Sequence, residues 1–268
     1  MEAIELLKSS LIKYSLISDL ISEKDVEKWV EKLNGFKDIN NEYVYKVNFN
    51  ILTSLIAQNQ IINSDINPAF NLLNYLEDSL KIFPELKKSN EFKRNIKSLD
   101  DFSFFSFLSE LSLARHLKCN GFEVRFNKNY ERLKNGKSKP KNVDIEAIDR
   151  TGRTTYFEVY SPFKKAQEEG FLDIQSIGDS FEKKIEEKQY DKFDGLLPEQ
   201  LNGKIILAIN FIYDEEFSVL MTALTKNHFR RFENIIHKEI DGLLFFFHDI
   251  AKNENAQFYS WYFKNKLE

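Results

Sequence analysis

The chain contains 268 residues, which is enough for one sizeable hydrophobic core or for a core with a smaller appended domain. The formal net charge of −4 argues against a protein coated in nucleic acid, although it leaves room for a local basic patch. Cys119 is the single cysteine, which excludes an intrachain disulfide and a cysteine-rich zinc site. The N-terminal residues do not resemble a secretory signal, and the densest apolar stretch, Leu243–Phe247, is too short to cross a bilayer. We therefore expect no membrane partner and a cytoplasmic location.

Residues 1–98 are predicted to form an α-helical N-terminal region. Apolar residues recur there at steps of three and four, and Ser22 is a candidate N-cap. The region contains no repeat and no catalytic motif, which favours a helical cap or an interaction domain. We expect a domain boundary in the polar segment Asn90–Asp101, so that the second domain covers residues 99–268. The predicted helices are Glu2–Ile21, Glu23–Leu33, Val47–Ala57 and Pro68–Ile82.

A long helix is predicted after this boundary by the segment DFSFFSFLSELSLARHLKCNGF, and it should end at Asn120-Gly121. Glu110 falls on the apolar stripe of this helix or at its edge. A carboxylate at the rim that reaches water is the plainer interpretation of Glu110. A functional carboxylate is the alternative.

A basic segment follows the helix. Phe122–Asn127 is predicted to be a strand, and Lys128–Lys141 is predicted to be a loop. From Gly121 to Lys141 the chain carries seven basic and two acidic residues. Such a run is usually a solvated loop, and contact with phosphate groups is the competing interpretation. The candidate nucleic-acid contacts are Lys134, Lys137, Lys139 and Lys141.

The clearest pattern in the sequence is a β-hairpin. Two alternating, β-branched runs, Val143–Ile148 and Thr154–Ser161, flank a turn-forming segment that ends at Gly152. Because side chains alternate along a strand, Glu158 shares a face with Tyr156 and Tyr160. A carboxylate in the middle of an apolar strand is costly to bury unless it is paired or binds a metal ion.

The remaining elements predict a mixed sheet. Ser176–Phe193 is an amphipathic helix in which Gln189 lies on the apolar side and Lys184 and Lys188 flank it. Helices alternate with strands, and the hairpin supplies an antiparallel pair. The predicted fold is therefore α/β, with a mixed central sheet flanked by helices on both faces. The other predicted elements are strands Lys204–Tyr213, Leu243–Phe247 and Phe258–Phe263, and one or two helices over Glu215–Glu239.

Three acids on these elements could converge at one end of the sheet: Glu110, Asp144 and Glu158. Carboxylates brought together disfavour each other's ionisation unless a cation neutralises them. Oxygen ligands of this kind suit Mg²⁺ or Mn²⁺, which also bind phosphate oxygens.

The pattern of Asp144, a gap of thirteen residues and then Glu158-Val159-Tyr160 resembles the PD-(D/E)xK motif of restriction-endonuclease-like nucleases. The resemblance covers about residues 100–215 and implies a core of helix, three strands, helix and strand. It implies that Glu110 is the helical acid of the family, Asp144 the motif aspartate and Glu158 the motif acid. It also implies that these three carboxylates and the backbone carbonyl of Val159 bind the metal ion.

Two positions depart from the family pattern. Val143 replaces the proline before the motif aspartate, which the family tolerates. Tyr160 replaces the motif lysine, which in the family orients or activates the attacking water, and a tyrosine supplies no fixed positive charge. The following helix often contributes a basic or amide group in this family. Lys184, Lys188 and Gln189 are therefore the candidate substitutes.

The resemblance implies a metal-dependent endonuclease that hydrolyses phosphodiester bonds in nucleic acid, with DNA as the expected substrate. Many nucleases of this fold cut both strands as homodimers, so a homodimer remains open. One alternative is a catalytically degenerate nuclease fold that binds nucleic acid or a protein partner, which Tyr160 favours. The other is purely structural, with the three acids paired to nearby lysines and arginines.

Overall fold

The computed structural model describes residues 3–34, 50–60, 68–99, 101–161, 183, 186–197, 199–211, 236–248, 250 and 256–262. The chain divides into two compact units. The first comprises Met1–Leu108 with Ile250–Glu254, and the second comprises Ser109–Asp249 with Asn255–Glu268. No helix in the described part of the chain is both long and apolar enough to span a membrane.

The first unit is helical, as predicted. The predicted helix Glu2–Ile21 is interrupted, because the carboxylate of Glu77 accepts hydrogen bonds from the backbone N–H groups of Leu16 and Ile17 and so caps a new helix. The start of the predicted helix at Val47 lies outside the described residues. The helices are α1 (Ala3–Leu11), α2 (Ser15–Ser18), α3 (Glu23–Asn34), α4 (Ile51–Gln60), α5 (Pro68–Ile82), α6 (Asn90–Lys97) and α7 (Asp101–Cys119), with a 3₁₀ turn at Pro84–Lys88. Helix α7 begins in the first unit and continues into the second.

The second unit contains a six-stranded mixed sheet, which confirms the predicted α/β fold class. The strands are arranged in sequence order. The pairs β1–β2, β2–β3 and β5–β6 are antiparallel, whereas β3–β4 and β4–β5 are parallel. The strands are β1 (Glu123–Lys134), β2 (Lys137–Ile148), β3 (Thr154–Tyr160), β4 (Lys204–Phe211), β5 (Gly242–Phe247) and β6 (Gln257–Tyr262).

The predicted loop Lys128–Lys141 is wrong, because β1 and β2 continue through it as a long hairpin. Their pairing extends to Lys134↔Lys137. The turn is Asn135-Gly136, with φ angles of 55° and 71°. Two central residues with positive φ suit the tight turn that joins antiparallel strands. Strands are predicted from an alternation of apolar and polar residues. The run of exposed lysines lacks this alternation, so the hairpin was not predicted.

The second hairpin, β2–β3, has the predicted position. In its turn, one oxygen of the Asp149 carboxylate accepts hydrogen bonds from the backbone N–H groups of Thr151 at 2.8 Å and Arg153 at 3.0 Å. Gly152 has a φ of 84°, which a residue with a side chain rarely adopts. Local sequence alone therefore specifies this connection.

Helical segments lie against opposite faces of the sheet. Glu158 is in register with Leu207, whose face carries a core that includes Phe193 of the helical residues 186–193. Asn210 of β4 points to the other face, where its side chain donates to the Ser109 hydroxyl of α7 at 2.7 Å. The predicted helices Ser176–Phe193 and Glu215–Glu239 lie largely outside the described residues, and residues 236–239 are not helical.

Candidate active site where β2 and β3 diverge

Strands β2 and β3 separate at Asp144. Their pairing runs from Ile148↔Thr154 to Ile145↔Phe157 and stops there. Beyond this pair, the backbone N–H of Val159 in β3 donates a hydrogen bond to the side-chain carboxylate of Asp144 at 2.7 Å, and not to a backbone carbonyl of β2. Strand β3 continues beside β4 past this point. The side chain of Asp144 thus ends one ladder and lies beside the middle of β3.

Glu158 is completely buried at this divergence, with an exposure of 0%. Its Oε1 lies 3.0 Å from Lys188 Nζ, and its Oε2 lies 3.0 Å from Lys192 Nζ. Each oxygen therefore lies within hydrogen-bonding distance of one ammonium group. Two ammonium charges offset the burial of this carboxylate.

Lys192 links the two acids. Its Nζ lies 3.8 Å from Asp144 Oδ1 as well as 3.0 Å from Glu158, and it donates to the backbone carbonyl of Asn142 at 2.9 Å. Sequence reasoning missed this residue. The signal was present, because Lys192 follows Lys188 by four residues and so lies on the same face of a helix.

Lys188 places a positive charge beside Glu158. The sequence predicts an amine from Lys184 or Lys188 near Glu158, and Lys184 lies outside the described residues. Lys188 contacts Glu158, donates to the backbone carbonyl of Val159 and lies 5.5 Å from the centroid of the Tyr160 ring. The ammonium therefore lies over the Tyr160 ring, in the arrangement of a cation–π contact.

The electrostatics keep the Lys188 ammonium charged. Burial raises the pKa of Glu158, repulsion from Asp144 adds to this, and Lys188 and Lys192 oppose it. Burial opposes the charge on Lys188, but Glu158 and Asp144 outweigh it and raise the pKa of the ammonium above its usual range. Burial also raises the pKa of Tyr160 to about 12. Near neutral pH, neither Lys188 nor Tyr160 is therefore ready to accept or release a proton.

Glu110 lies near the cluster on α7. The preceding residue, Ser109, hydrogen-bonds Ser161, which directly follows β3. The charge of Glu110 makes a small contribution to the raised pKa of Lys188. Even so, in the part of the chain that is described, no three His, Cys, Asp or Glu side chains form a group arranged to hold a metal ion. Of the three predicted acids, Asp144 and Glu158 share the ammonium of Lys192.

Other predicted site residues have different surroundings. Gln189 is buried, and its Oε1 accepts the backbone N–H of His237 at 2.7 Å, so this oxygen holds the chain before β5. Lys141 lies 2.7 Å from the carboxylate of Asp191. Lys134, Lys137 and Lys139 are exposed at the far end of the β1–β2 hairpin. The Val159 carbonyl, which is predicted to be a metal ligand, accepts a hydrogen bond from the ammonium of Lys188.

The sequence was compared with known families and with curated proteins. No family matches the chain, and no curated protein matches it.

Proposed function

We propose that the protein is a metal-dependent nuclease that hydrolyses phosphodiester bonds, with DNA as substrate. The observation that carries the proposal is the placement of Asp144 and Glu158 around the shared Lys192 ammonium, at the point where their strands diverge. Both acids contact ammonium groups from one helical segment. Active sites often contain buried acidic residues whose pKa values are shifted by burial and by nearby basic residues. Purely structural ion-pair networks share this feature.

The donor atoms fit a hard divalent cation such as Mg²⁺ or Mn²⁺. Asp144, Glu158 and the Val159 carbonyl offer oxygen atoms only, and the side chain of Glu158 is completely buried. Glu110 is the candidate for a further, water-mediated contact. When bound, the metal ion would supply an ionised water and neutralise charge on the phosphodiester.

The Lys188 ammonium occupies the positions beside Glu158 Oε1 and the Val159 carbonyl oxygen, so it has to move away before a cation can bind these two oxygens. Its ammonium now contacts both Glu158 and the Val159 carbonyl, where it serves as a counterion. Because Lys188 stays protonated, its role is to donate a hydrogen bond to a water or a phosphate oxygen. Lys192 holds Asp144 and Glu158 together, and its bond to the Asn142 carbonyl ties it to β2.

Replacement of Glu158 tests this assignment. We expect Glu158→Gln to reduce cleavage of duplex DNA in Mg²⁺ or Mn²⁺ by more than the roughly 100-fold that loss of an outer-shell partner causes. Glu146→Gln is the matched control. Glu146 is also buried on β2 and paired with basic residues, Arg125 at 3.3 Å and Lys128 at 3.5 Å, but it lies outside the site. Equal loss in both variants would indicate a structural effect.

A second candidate function is a nuclease fold that binds nucleic acid without cutting it. Tyr160 at the motif lysine position and the neutralisation of both acids by lysines favour this candidate. It predicts salt-dependent binding and no cleavage by the wild type with any divalent metal. If the wild type neither binds nor cuts nucleic acid at low salt, both candidates fail and the acids are structural.

A further inference from the structure

The β1–β2 hairpin places all its basic residues beyond Phe126 on one face. Residues opposite each other in an antiparallel pair point to the same side of the sheet. Even-numbered residues of β1 face odd-numbered residues of β2, as in Arg132↔Lys139 and Lys134↔Lys137. Tyr130↔Lys141 belongs to the same face. The basic residues on this face are Lys128, Arg132, Lys134, Lys137, Lys139 and Lys141.

The inner part of this face is ion-paired and anchored. Arg132 is 3% exposed, and its guanidinium lies 3.4 Å from Asp191, which also pairs with Lys141 at 2.7 Å. The Tyr130 hydroxyl donates to the carbonyl of Lys192 at 2.7 Å. The base of the hairpin is therefore fixed to the helical segment that carries Lys188 and Lys192.

A close backbone contact also holds the outer edge of β1. The N–H of Leu133 donates to the carbonyl of Gly195 at 2.8 Å. Gly195 has a φ of 76°, and a Cβ added there would lie 2.0 Å from the carbonyl oxygen of Leu133. Glycine is therefore required at this contact, and the contact fixes the position of the hairpin.

The outer part of the basic face carries three lysines that form no ion pair with another described residue. These are Lys134, Lys137 and Lys139, and all three are exposed. Lys134 lies directly opposite Lys137, and like charges in such cross-strand pairs are destabilising. A polyanion that neutralises all three lysines together would relieve this repulsion and is the fitting ligand.

We propose that the tip of the β1–β2 hairpin enters the major groove of double-stranded DNA and that Lys134, Lys137 and Lys139 contact its phosphates. The inference rests on the proposed nucleic-acid substrate and specifies its form. The major groove of B-form DNA admits a two-stranded β-ribbon, whereas the deep, narrow major groove of A-form RNA does not. At about 3.4 Å per residue, Lys139 lies roughly 17 Å along β2 from Asp144, so the contact falls several base pairs from the acids.

The test measures binding without cleavage. The affinity of wild-type protein for a labelled duplex is determined by fluorescence anisotropy at several salt concentrations in EDTA. We plot the logarithm of the binding constant against the logarithm of the salt concentration. The triple variant Lys134→Gln, Lys137→Gln and Lys139→Gln should have a slope that is less negative by about 2.7, since each phosphate contact on duplex DNA contributes about 0.9. A triple Lys→Arg variant at the same positions should retain the wild-type slope.

The matched control makes the same change of charge elsewhere. Lys24, Lys28 and Lys32 are exposed on α3, and replacing all three with Gln should leave the slope unchanged. An unchanged slope in the hairpin variant, or no binding of duplex DNA by the wild type, would overturn the inference. Equal losses on single-stranded DNA or on duplex RNA would also overturn it, because neither offers a wide major groove.

Cleavage assays separate this inference from the proposed function. If the wild type cuts no substrate but its duplex binding depends on the hairpin lysines, the inference stands and the nuclease proposal fails. If the wild type cuts DNA and the hairpin variant keeps its salt slope, the nuclease proposal stands and the inference fails.

Discussion

A carboxylate buried at the centre of a sheet needs compensating charge, and Glu158 has two ammonium groups at 3.0 Å. Removing one partner of a buried ion pair typically costs more than the pair itself contributes, because the remaining charge stays desolvated. Glu158 is fully buried, whereas the side chain of Lys188 is 26% exposed. Lys188 therefore reaches solvent along part of its side chain, whereas Glu158 does not.

Lys188→Met should lower the free energy of unfolding by up to about 3 kcal/mol in the absence of metal, because Glu158 keeps only Lys192 as a partner. We also expect Mg²⁺ to raise the melting temperature of this variant more than that of the wild type, because the oxygens of Glu158 and Val159 no longer contact an ammonium. Thermal unfolding with and without Mg²⁺ measures both effects.

Lys8→Met is the control for this experiment. Lys8 is paired with Glu23, and both side chains are exposed in the first unit. Its replacement should change stability by no more than about 1 kcal/mol and should not alter the response to Mg²⁺. Equal Mg²⁺ responses in wild type and Lys188→Met would contradict the idea that Lys188 covers metal ligands.

The two hairpins show which elements can be predicted from sequence. The β2–β3 hairpin was predictable because alternating β-branched residues flank a turn with strong local preferences. The β1–β2 hairpin was missed because its lysines carry no apolar alternation. Asn135-Gly136 was the available signal, since this dipeptide favours the turn that joins two antiparallel strands. Local turn chemistry was thus more informative than the pattern of charges.

The β2–β3 turn should become weaker at low pH. Hydrogen bonds to its carboxylate, chiefly from the Thr151 hydroxyl with help from backbone N–H groups, lower the pKa of Asp149 from 3.8 to about 2. A lowered pKa means that the carboxylate contributes stability above pH 3.8 and that this contribution disappears as the pH falls towards 2. Asp149→Asn should therefore be less stable than the wild type at pH 6, and the difference should narrow below pH 3.8.

Chemical denaturation at pH values from 6 to 2 measures this difference. Asparagine retains an oxygen that can accept the N–H groups of Thr151 and Arg153, so the variant isolates the effect of charge. A difference that stays constant across the range would show that ionisation of Asp149 does not stabilise the turn.

At the scale of the whole molecule, the net charge of −4 conceals how the charges are arranged. Sequence reasoning located Asp144 and Glu158 because both lie in strands with clear local patterns. It missed Lys192, which approaches Glu158 only when residues 186–193 pack against the face of the sheet that Glu158 occupies. It also missed the break between α1 and α2, because Glu77 reaches that point from a distant helix. Contacts between distant segments are what the local patterns leave out.

Asp144→Asn separates the two activities that the arrangement predicts. The amide oxygen can still accept the Val159 N–H, so the divergence of β2 and β3 should persist, while one negative charge is lost. We expect cleavage to fall by more than about 100-fold, since a proposed metal ligand changes. Duplex affinity in EDTA should be unchanged or slightly tighter, because the loss of the carboxylate removes a repulsion from phosphate. The salt slope should stay at its wild-type value, since Lys134, Lys137 and Lys139 are intact. A variant that still cuts DNA at the wild-type rate would show that Asp144 only shapes the strands.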